Sequence, residues 1–174
     1  AKDPAKAQAL ILKLSDLMRY SIYDGGREMV HLQEEIDFLT RYIELHKMRY
    51  HKNIQVDLRS AVDANQQVVP LLFIILLENA FKHGTSHETG EIHLKIELNI
   101  LHDKLVFGVT NPRFENQSSR KKHKGLGLKN VQRRLDLLYG KNYKLQILPT
   151  AKEYSISLEL PFEPVVLSES KSNK

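Results

Sequence analysis

Leu77-Glu78-Asn79-Ala80-Phe81-Lys82-His83-Gly84 closes a dense apolar run that begins at Val69, and the abrupt switch to polar residues organises the reading of the whole chain. The spacing predicts a buried helix over Val69 to Phe81. Asn79, Lys82 and His83 stand at i, i+3 and i+4, so they share one helical face. An amide oxygen suits Mg²⁺, which takes hard oxygen donors. Lys82 and His83 bring charge and donors suited to phosphate oxygens. The structural alternative is a plain solvated helix end, where Lys and His complement the dipole.

Downstream, Ile92, Leu94, Ile96, Leu98 and Ile100 alternate with polar residues, as a long half-buried strand requires. His102-Asp103-Lys104 turns the chain into a second strand, Leu105 to Thr110. It ends in Val109-Thr110-Asn111-Pro112, where the Asn111 amide suits a heterocycle edge, or simply a turn before proline. Residues 112 to 124 are polar, basic and without periodicity, a surface loop. Then comes Gly125-Leu126-Gly127-Leu128-Lys129-Asn130. Glycines allow close backbone approach to a ligand, and a helix start offers free N–H groups to an anion, with Lys121, Lys122 and Lys124 just upstream. A glycine-relaxed loop-to-helix turn explains the same residues without a ligand. Leu128 to Tyr139 reads as a helix stopped by Gly140, and Leu145 to Leu148 with Tyr154 to Leu160 complete a sheet.

Upstream, Leu10, Leu14, Leu17 and Met18, widened by Ile11 and Ile22, predict a helix over Ala5 to Tyr23, broken by Asp24-Gly25-Gly26. A second helix runs from Leu32 to Tyr50 with two stripes, Leu32, Ile36, Leu39, Ile43 and Phe38, Tyr42, Leu45. Two faces call for contacts on two sides, as in a helical hairpin packed on a second subunit. Glu34 and Glu35 fall in its first turn, where the helix dipole favours negative charge.

The chain has 174 residues, 41% of them hydrophobic and 27% charged, as in ordinary globular domains. No cysteine excludes disulfides and thiolate metal sites. Net charge +5 and a pI near 9.3 permit polyphosphate, nucleic acid or anionic membranes as partners and select none. The longest apolar stretch, Val68 to Leu77, contains Pro70 and is far short of the ~20 residues a bilayer span needs. The start, Ala1-Lys2-Asp3-Pro4, carries neither signal-peptide core nor initiator Met, which reads as a piece cut from a longer chain.

Together, in order and spacing, these motifs resemble the GHKL ATPase superfamily, which includes histidine kinases, gyrase, MutL and the large heat-shock chaperone. Leu77 to Gly84 looks like the N box, Gly125 to Leu128 like the second glycine box, and 112 to 124 like the ATP lid. Leu14-Ser15-Asp16-Leu17-Met18-Arg19-Tyr20 and Tyr42-Ile43-Glu44-Leu45-His46-Lys47-Met48-Arg49-Tyr50 resemble the helices before the ATP domain in LytS-type sensor kinases. Gly127-Leu128-Lys129-Asn130-Val131-Gln132-Arg133-Arg134-Leu135 is spelled as in that branch, and the resemblance covers about residues 10 to 162.

The resemblance implies an α+β fold, a two-layer α/β sandwich of the Bergerat (GHKL) type, preceded by a helical hairpin from a dimerisation stem. It implies residues 1–51 as an incomplete histidine-transfer stem, 52–163 as the ATP-binding domain and 164–174 as a disordered tail. ATP and Mg²⁺ would be the cofactors. Asn79 would hold the metal, Lys82 and His83 would line the phosphate pocket, and Glu78 would be a polar helper near the reacting phosphoryl group, or else a plain surface carboxylate. Asn111 occupies the place of an adenine-reading Asp. The Gly125, Leu126, Gly127, Leu128 box would let the lid close. A response regulator of LytTR type, a homodimer through the stem, and a cytoplasmic place on a bacterial inner-membrane protein follow from the same resemblance. Two departures weaken adenine contact: Asn111-Pro112-Arg113 replaces D-x-G-x-G, and Glu153-Tyr154 replaces the usual Gly-Thr.

The acceptor motif of that branch, Pro-His-Phe-Leu-Phe-Asn, does not occur among the eight histidines. His31 reads as a helix-start residue. The acceptor is therefore expected upstream of Ala1, and the chain as given would bind ATP without phosphorylating itself. A hydrolytic ATPase of the gyrase or MutL kind is the alternative, but Ile75 stands where its water-activating Glu would be, and an aliphatic side chain is no general base. A basic nucleic-acid module would need aromatic-basic interleaving that the sequence lacks, so no direct nucleic-acid partner is expected.

Overall fold

The computed structural model describes residues 3–49, 54–62, 66–84, 92–113 and 126–164. Asp3 accepts from the Ala5 and Lys6 amides and caps α1 (Pro4–Tyr23), with proline in the first turn where no N–H is missed. A two-residue strand, β1 (Val30–His31), leads directly into α2 (Leu32–Arg49). His31 thus ends a strand next to the helix instead of opening it. β1 pairs antiparallel with β3 (Gln67–Val68), and β2 (Ile54–Ala61) lies between them in sequence.

α3 (Ile74–Gly84) starts five residues later than the apolar run suggested. Pro70 follows β3, and Leu71 has φ 58, a left-handed conformation that no α-helix contains. Val69 to Phe73 is consequently a buried turn. β4 (Ile92–Leu101) and β5 (Lys104–Pro112) form a hairpin whose turn residues, His102 and Asp103, have φ 50 and 58. Asn111 and Pro112 lie in β5, so Asn111 is a strand residue and not a turn residue. The rest of the expected loop, residues 114–124, lies outside the described residues, as do Gly125, Tyr50 and the tail from 165. α4 (Leu126–Tyr139) begins two residues before the expected start and ends at Gly140, φ 58. β6 (Lys144–Pro149) and β7 (Glu153–Pro161) follow.

The main sheet has the order β2-β4-β5-β7-β6, with β2 and β4 parallel and the other neighbours antiparallel. Period-2 alternation sends Leu94, Ile96 and Leu98, then Leu105, Phe107 and Val109, then Ile156, Leu158 and Leu160 to one face. There they meet Leu76, Leu77, Ala80 and Phe81 of α3 and Val131, Leu135 and Tyr139 of α4 in one core. The opposite face carries Thr110 hydrogen-bonded to Ser155 at 2.9 Å and Lys104 paired with Glu159. This is a two-layer α/β sandwich.

Both stripes of α2 are filled from within the chain. Leu32, Leu39 and Ile43 join the main core, while Phe38 packs with Leu17 and Tyr20 of α1, its ring stacked on Tyr20 at 4.6 Å. The face left open belongs instead to α1, where Ile11, Leu14, Met18 and Ile22 are 49–68% exposed.

Candidate functional site

α3 buries Leu76, Leu77, Ala80 and Phe81 against the sheet, which leaves Glu78 and Lys82 exposed and Asn79 and His83 half-buried. The Asn79 amide nitrogen donates to the Ile75 carbonyl at 2.8 Å. A carbonyl only accepts, so this bond fixes which way the amide faces and leaves its oxygen on the other side. Ile75 thereby contributes its backbone carbonyl to orienting Asn79.

Gly127 is the second residue of α4 and lies against that amide. A Cβ at Gly127 would stand 3.1 Å from both the nitrogen and the oxygen of Asn79. The N-terminal turn of α4, with its unpaired N–H groups, therefore abuts the Asn79 side chain. The structure brings together two features 48 positions apart that were singled out separately in the sequence. Leu128 is half-buried against the core, Leu126 is the first helical residue, and Gly125 lies outside the described residues.

Asn111 points to the helix-bearing face of the sheet and is 2% exposed. Its amide donates to the Pro112 carbonyl at 2.9 Å, and its backbone is paired with Tyr154, whose pKa burial raises. A cavity of about 160 Å³ opens at this end of the sheet, lined by His93, Lys95, Thr110, Asn111, Pro112, Lys152 and Glu153. Most of these alternate with core residues and face outward, so this hollow is separate from the Asn79–Gly127 junction. Segments 85–91 and 114–125, which follow α3 and precede α4, lie outside the described residues. Among the described residues no cluster of His, Cys, Asp and Glu is suited to a metal ion.

A second polar centre escaped the sequence reading. Glu35 is fully buried, whereas Glu34 beside it pairs with Arg27 at the surface. One Glu35 oxygen accepts from the Tyr20 hydroxyl and from the Leu71 amide, both at 2.8 Å. Burial raises the Glu35 pKa; the Leu71 amide, the Tyr20 hydroxyl and Arg134 pull it back. Burial, and then the Glu35 charge, raise Tyr20 well above its ordinary value. Arg134 donates to the carbonyls of Leu71 at 3.0 Å and Pro70 at 2.7 Å. Burial lowers its pKa, an effect Glu35 opposes. The signal was present in the spacing: Glu35 sits three residues after Leu32 and four before Leu39, on a stripe otherwise apolar.

Residues 1–54 match the family model described as histidine kinase. Over 157 residues the chain is 26% identical to the sensor protein kinase HptS of Staphylococcus aureus, covering 83% of this chain and 30% of that protein. The chain thus spans less than a third of this relative's length. The catalytic domain of histidine kinase ThkA superposes with a TM-score of 0.54 at 21% identity, covering 78% of this chain and 97% of that one. The histidine kinase domain of a blue-light activated kinase from Erythrobacter litoralis gives 0.59 at 15% identity, covering 93% and 76%. The family model, the relative and both solved structures are described as histidine kinases, and the fold is that of the solved histidine kinase domains.

Proposed function

We propose that this chain, which is of the sensor histidine kinase type with the GHKL fold, binds Mg²⁺-ATP between α3 and α4 and serves phosphoryl transfer to a histidine in a two-component system. The observation that carries the reading is the contact of Gly127 with the oriented amide of Asn79. The residues present suit a hydrated magnesium ion: one protein oxygen, with nucleotide oxygens and water completing the shell, is a usual arrangement for this cation. Bound there, the ion would neutralise triphosphate charge.

The chain's own residues bind and orient. Asn79 presents its oxygen, the first turn of α4 presents N–H groups to the phosphates, and Lys82 and His83, one helical turn beyond Asn79, extend the same face. Glu78 is the polar neighbour assigned to the reacting end, and Asn111 to the adenine side. Gly125, Leu126, Gly127 and Leu128 are assigned to the box that would let the lid close on the phosphates. The imidazole nitrogen of the acceptor attacks the γ-phosphorus, the bond to the β-γ bridging oxygen breaks, and ADP leaves. Rate enhancement of this reaction rests on positioning and charge neutralisation. The aliphatic Ile75 favours transfer over hydrolysis, since it supplies no base to water.

We assign residues 1–51 to the stem and 52–163 to the catalytic domain, in the LytS-type branch, with a LytTR-type response regulator taking the phosphoryl group. The acceptor histidine is assigned upstream of Ala1, the Pro-His-Phe motif being absent from the sequence. The exposed stripe Ile11, Leu14, Met18 and Ile22 supports a homodimer through α1. Membrane anchorage would come from outside these residues: no described helix is long and apolar enough to cross a bilayer.

Calorimetric titration tests the site. Asn79→Ala should abolish Mg²⁺-dependent ATP binding while the far-UV spectrum stays unchanged; wild-type affinity in that variant would overturn the assignment.

A further inference from the structure

Besides sharing the core through Val131 and Leu135, α4 reaches the α3 segment at Gly127 and at Arg134, and only the first of these is the nucleotide junction. Gly127 lies on Asn79. Arg134, seven residues later, holds the carbonyls of Pro70 and Leu71 in the turn that leads into α3. Seven residues are almost two helical turns, so both contacts lie on one face of α4, about 10 Å apart along its axis. Two anchors on one face fix both the slide and the roll of a helix against its neighbour; one anchor fixes neither.

The Pro70–Leu71 turn is held from every side. Leu71 has φ 58, a conformation that a residue with a branched Cγ adopts only where its surroundings impose it. Its N–H goes to Glu35 and its carbonyl to Arg134. Its side chain is pressed against the turn after α1, where a Cβ at Gly25 would stand 2.5 Å from the Leu71 Cδ1. Glu35 in turn is reached by Tyr20 from α1. Its second oxygen is buried and makes no full hydrogen bond, although the Leu72 amide also favours the charged carboxyl. Buried, under-satisfied carboxyls are costly relative to an apolar side chain of the same shape, so core packing alone does not account for Glu35.

We propose that Glu35 and Arg134 are positioning residues for the nucleotide site: they clamp the Pro70–Leu71 turn, one by its N–H and the other by its carbonyls, and thereby set how closely the first turn of α4 approaches Asn79. The proposal rests on the Mg²⁺-ATP reading of that junction and deepens it. Because the same carboxyl oxygen holds Tyr20, the clamp also ties the position of α1 to the geometry of the site. Arg134 acts through α4 and Glu35 through the turn; neither touches the nucleotide.

The test is the ATP dissociation constant of the 174-residue chain measured with Mg²⁺ and with EDTA, in wild type and variants. The ratio of the two constants isolates the metal-dependent contact, which loss of folded protein alone would not change. Arg134→Met and Glu35→Leu should shrink that ratio at least fivefold. Arg134→Lys, able to reach one carbonyl, should lose less. Glu35→Gln, whose amide oxygen can accept from both Tyr20 and Leu71, should stay within twofold of wild type. If the apolar variants do not melt cooperatively, Arg134→Lys decides, and an unchanged ratio there overturns the proposal. Folded apolar variants with the wild-type ratio overturn it too, and leave the nucleotide reading standing if Asn79→Ala still loses the ratio. A wild-type chain with no Mg²⁺-dependent gain, or an unaffected Asn79→Ala, overturns both together.

Discussion

Replacing Gly127 with alanine adds one methyl group at the closest approach of α4 to α3. The new carbon would stand 3.1 Å from both amide atoms of Asn79 and 3.6 Å from its Cγ. Ordinary contact for an added Cβ begins at about 3.4 Å, so the amide must retreat by about 0.3 Å. α4 cannot yield as a body, because Arg134 pins it to Pro70 and Leu71. The Asn79 side chain therefore rotates and gives up its 2.8 Å bond to the Ile75 carbonyl, at a net cost of about 1 kcal/mol. Against this, alanine in place of glycine favours the helix by about 0.5–1 kcal/mol, with the low end applying so near the N-terminus. The two terms nearly cancel, and the melting temperature should move by no more than about 2–4 °C. Binding has no such compensation. Turning the amide away removes a contact to a charged group worth about 1.5–3 kcal/mol, so Mg²⁺-ATP affinity should fall at least about tenfold. Titration calorimetry beside a thermal melt reads both numbers. Wild-type affinity in a folded Gly127→Ala chain would show that the Asn79 amide is not where the nucleotide complex is held.

Three further outcomes follow from the described contacts. Burial raises the Glu35 pKa, so its stabilising protonated form is retained below the ordinary value of 4.5 and the molecule loses stability as pH rises from there through the folded-state pKa. Glu35→Gln does not titrate, so its stability relative to wild type should climb across that window by up to about 1.4 kcal/mol per pH unit, read from denaturant midpoints; a pH-independent difference would contradict the buried-acid account. At the β4–β5 turn, His102→Asn with Asp103→Gly places residues that favour left-handed backbone at φ 50 and 58 and should stabilise the chain by about 1 kcal/mol, read from denaturant midpoints; a loss would mean those side chains contribute more than the turn strain costs. On α1, Met18→Glu should weaken self-association in sedimentation equilibrium without lowering the monomer's melting temperature. A wild-type chain that stays monomeric at every accessible concentration would refute the role given to the exposed stripe.

Periodic elements were legible in the sequence because periodicity records which face is buried. Leu94, Ile96 and Leu98 alternate, and that strand is buried on one face; Leu32, Leu39 and Ile43 recur at helical spacing, and that face of α2 is in the core. The two-residue strands β1 and β3 were not legible, since two residues carry no period. The run from Val69 to Phe81 misled at its start: density of apolar residues reports burial, not conformation, and the sign that the first five were not helical was Pro70. The two α2 stripes predict two contacts: α1 supplies one, as a hairpin requires, and the main core takes the side expected for a second subunit, a distinction that depends on how the hairpin closes. Of the site, the spacing within α3 put Asn79, Lys82 and His83 on one face. Its approach to Gly127 is a tertiary fact that no local pattern contains.

Glu35 and Arg134 show why a buried polar centre is harder to read than a glycine box. Glu34-Glu35 and Arg133-Arg134 are adjacent like-charged pairs, and composition treats their members alike. Helical phase separates them: Glu35 falls on the Leu32–Leu39 stripe, and Arg134 follows Val131 by three residues, toward the core, while Glu34 and Arg133 turn outward. A charged residue in phase with an apolar stripe must either be excluded by the fold or be given partners inside it. Here the partners are the backbone of one left-handed turn and the Tyr20 hydroxyl, and that turn opens the helix bearing Asn79. The cost of burying both groups thus falls where it constrains α3 and α4, and not in the sheet, where Leu, Phe and Ile supply packing without it.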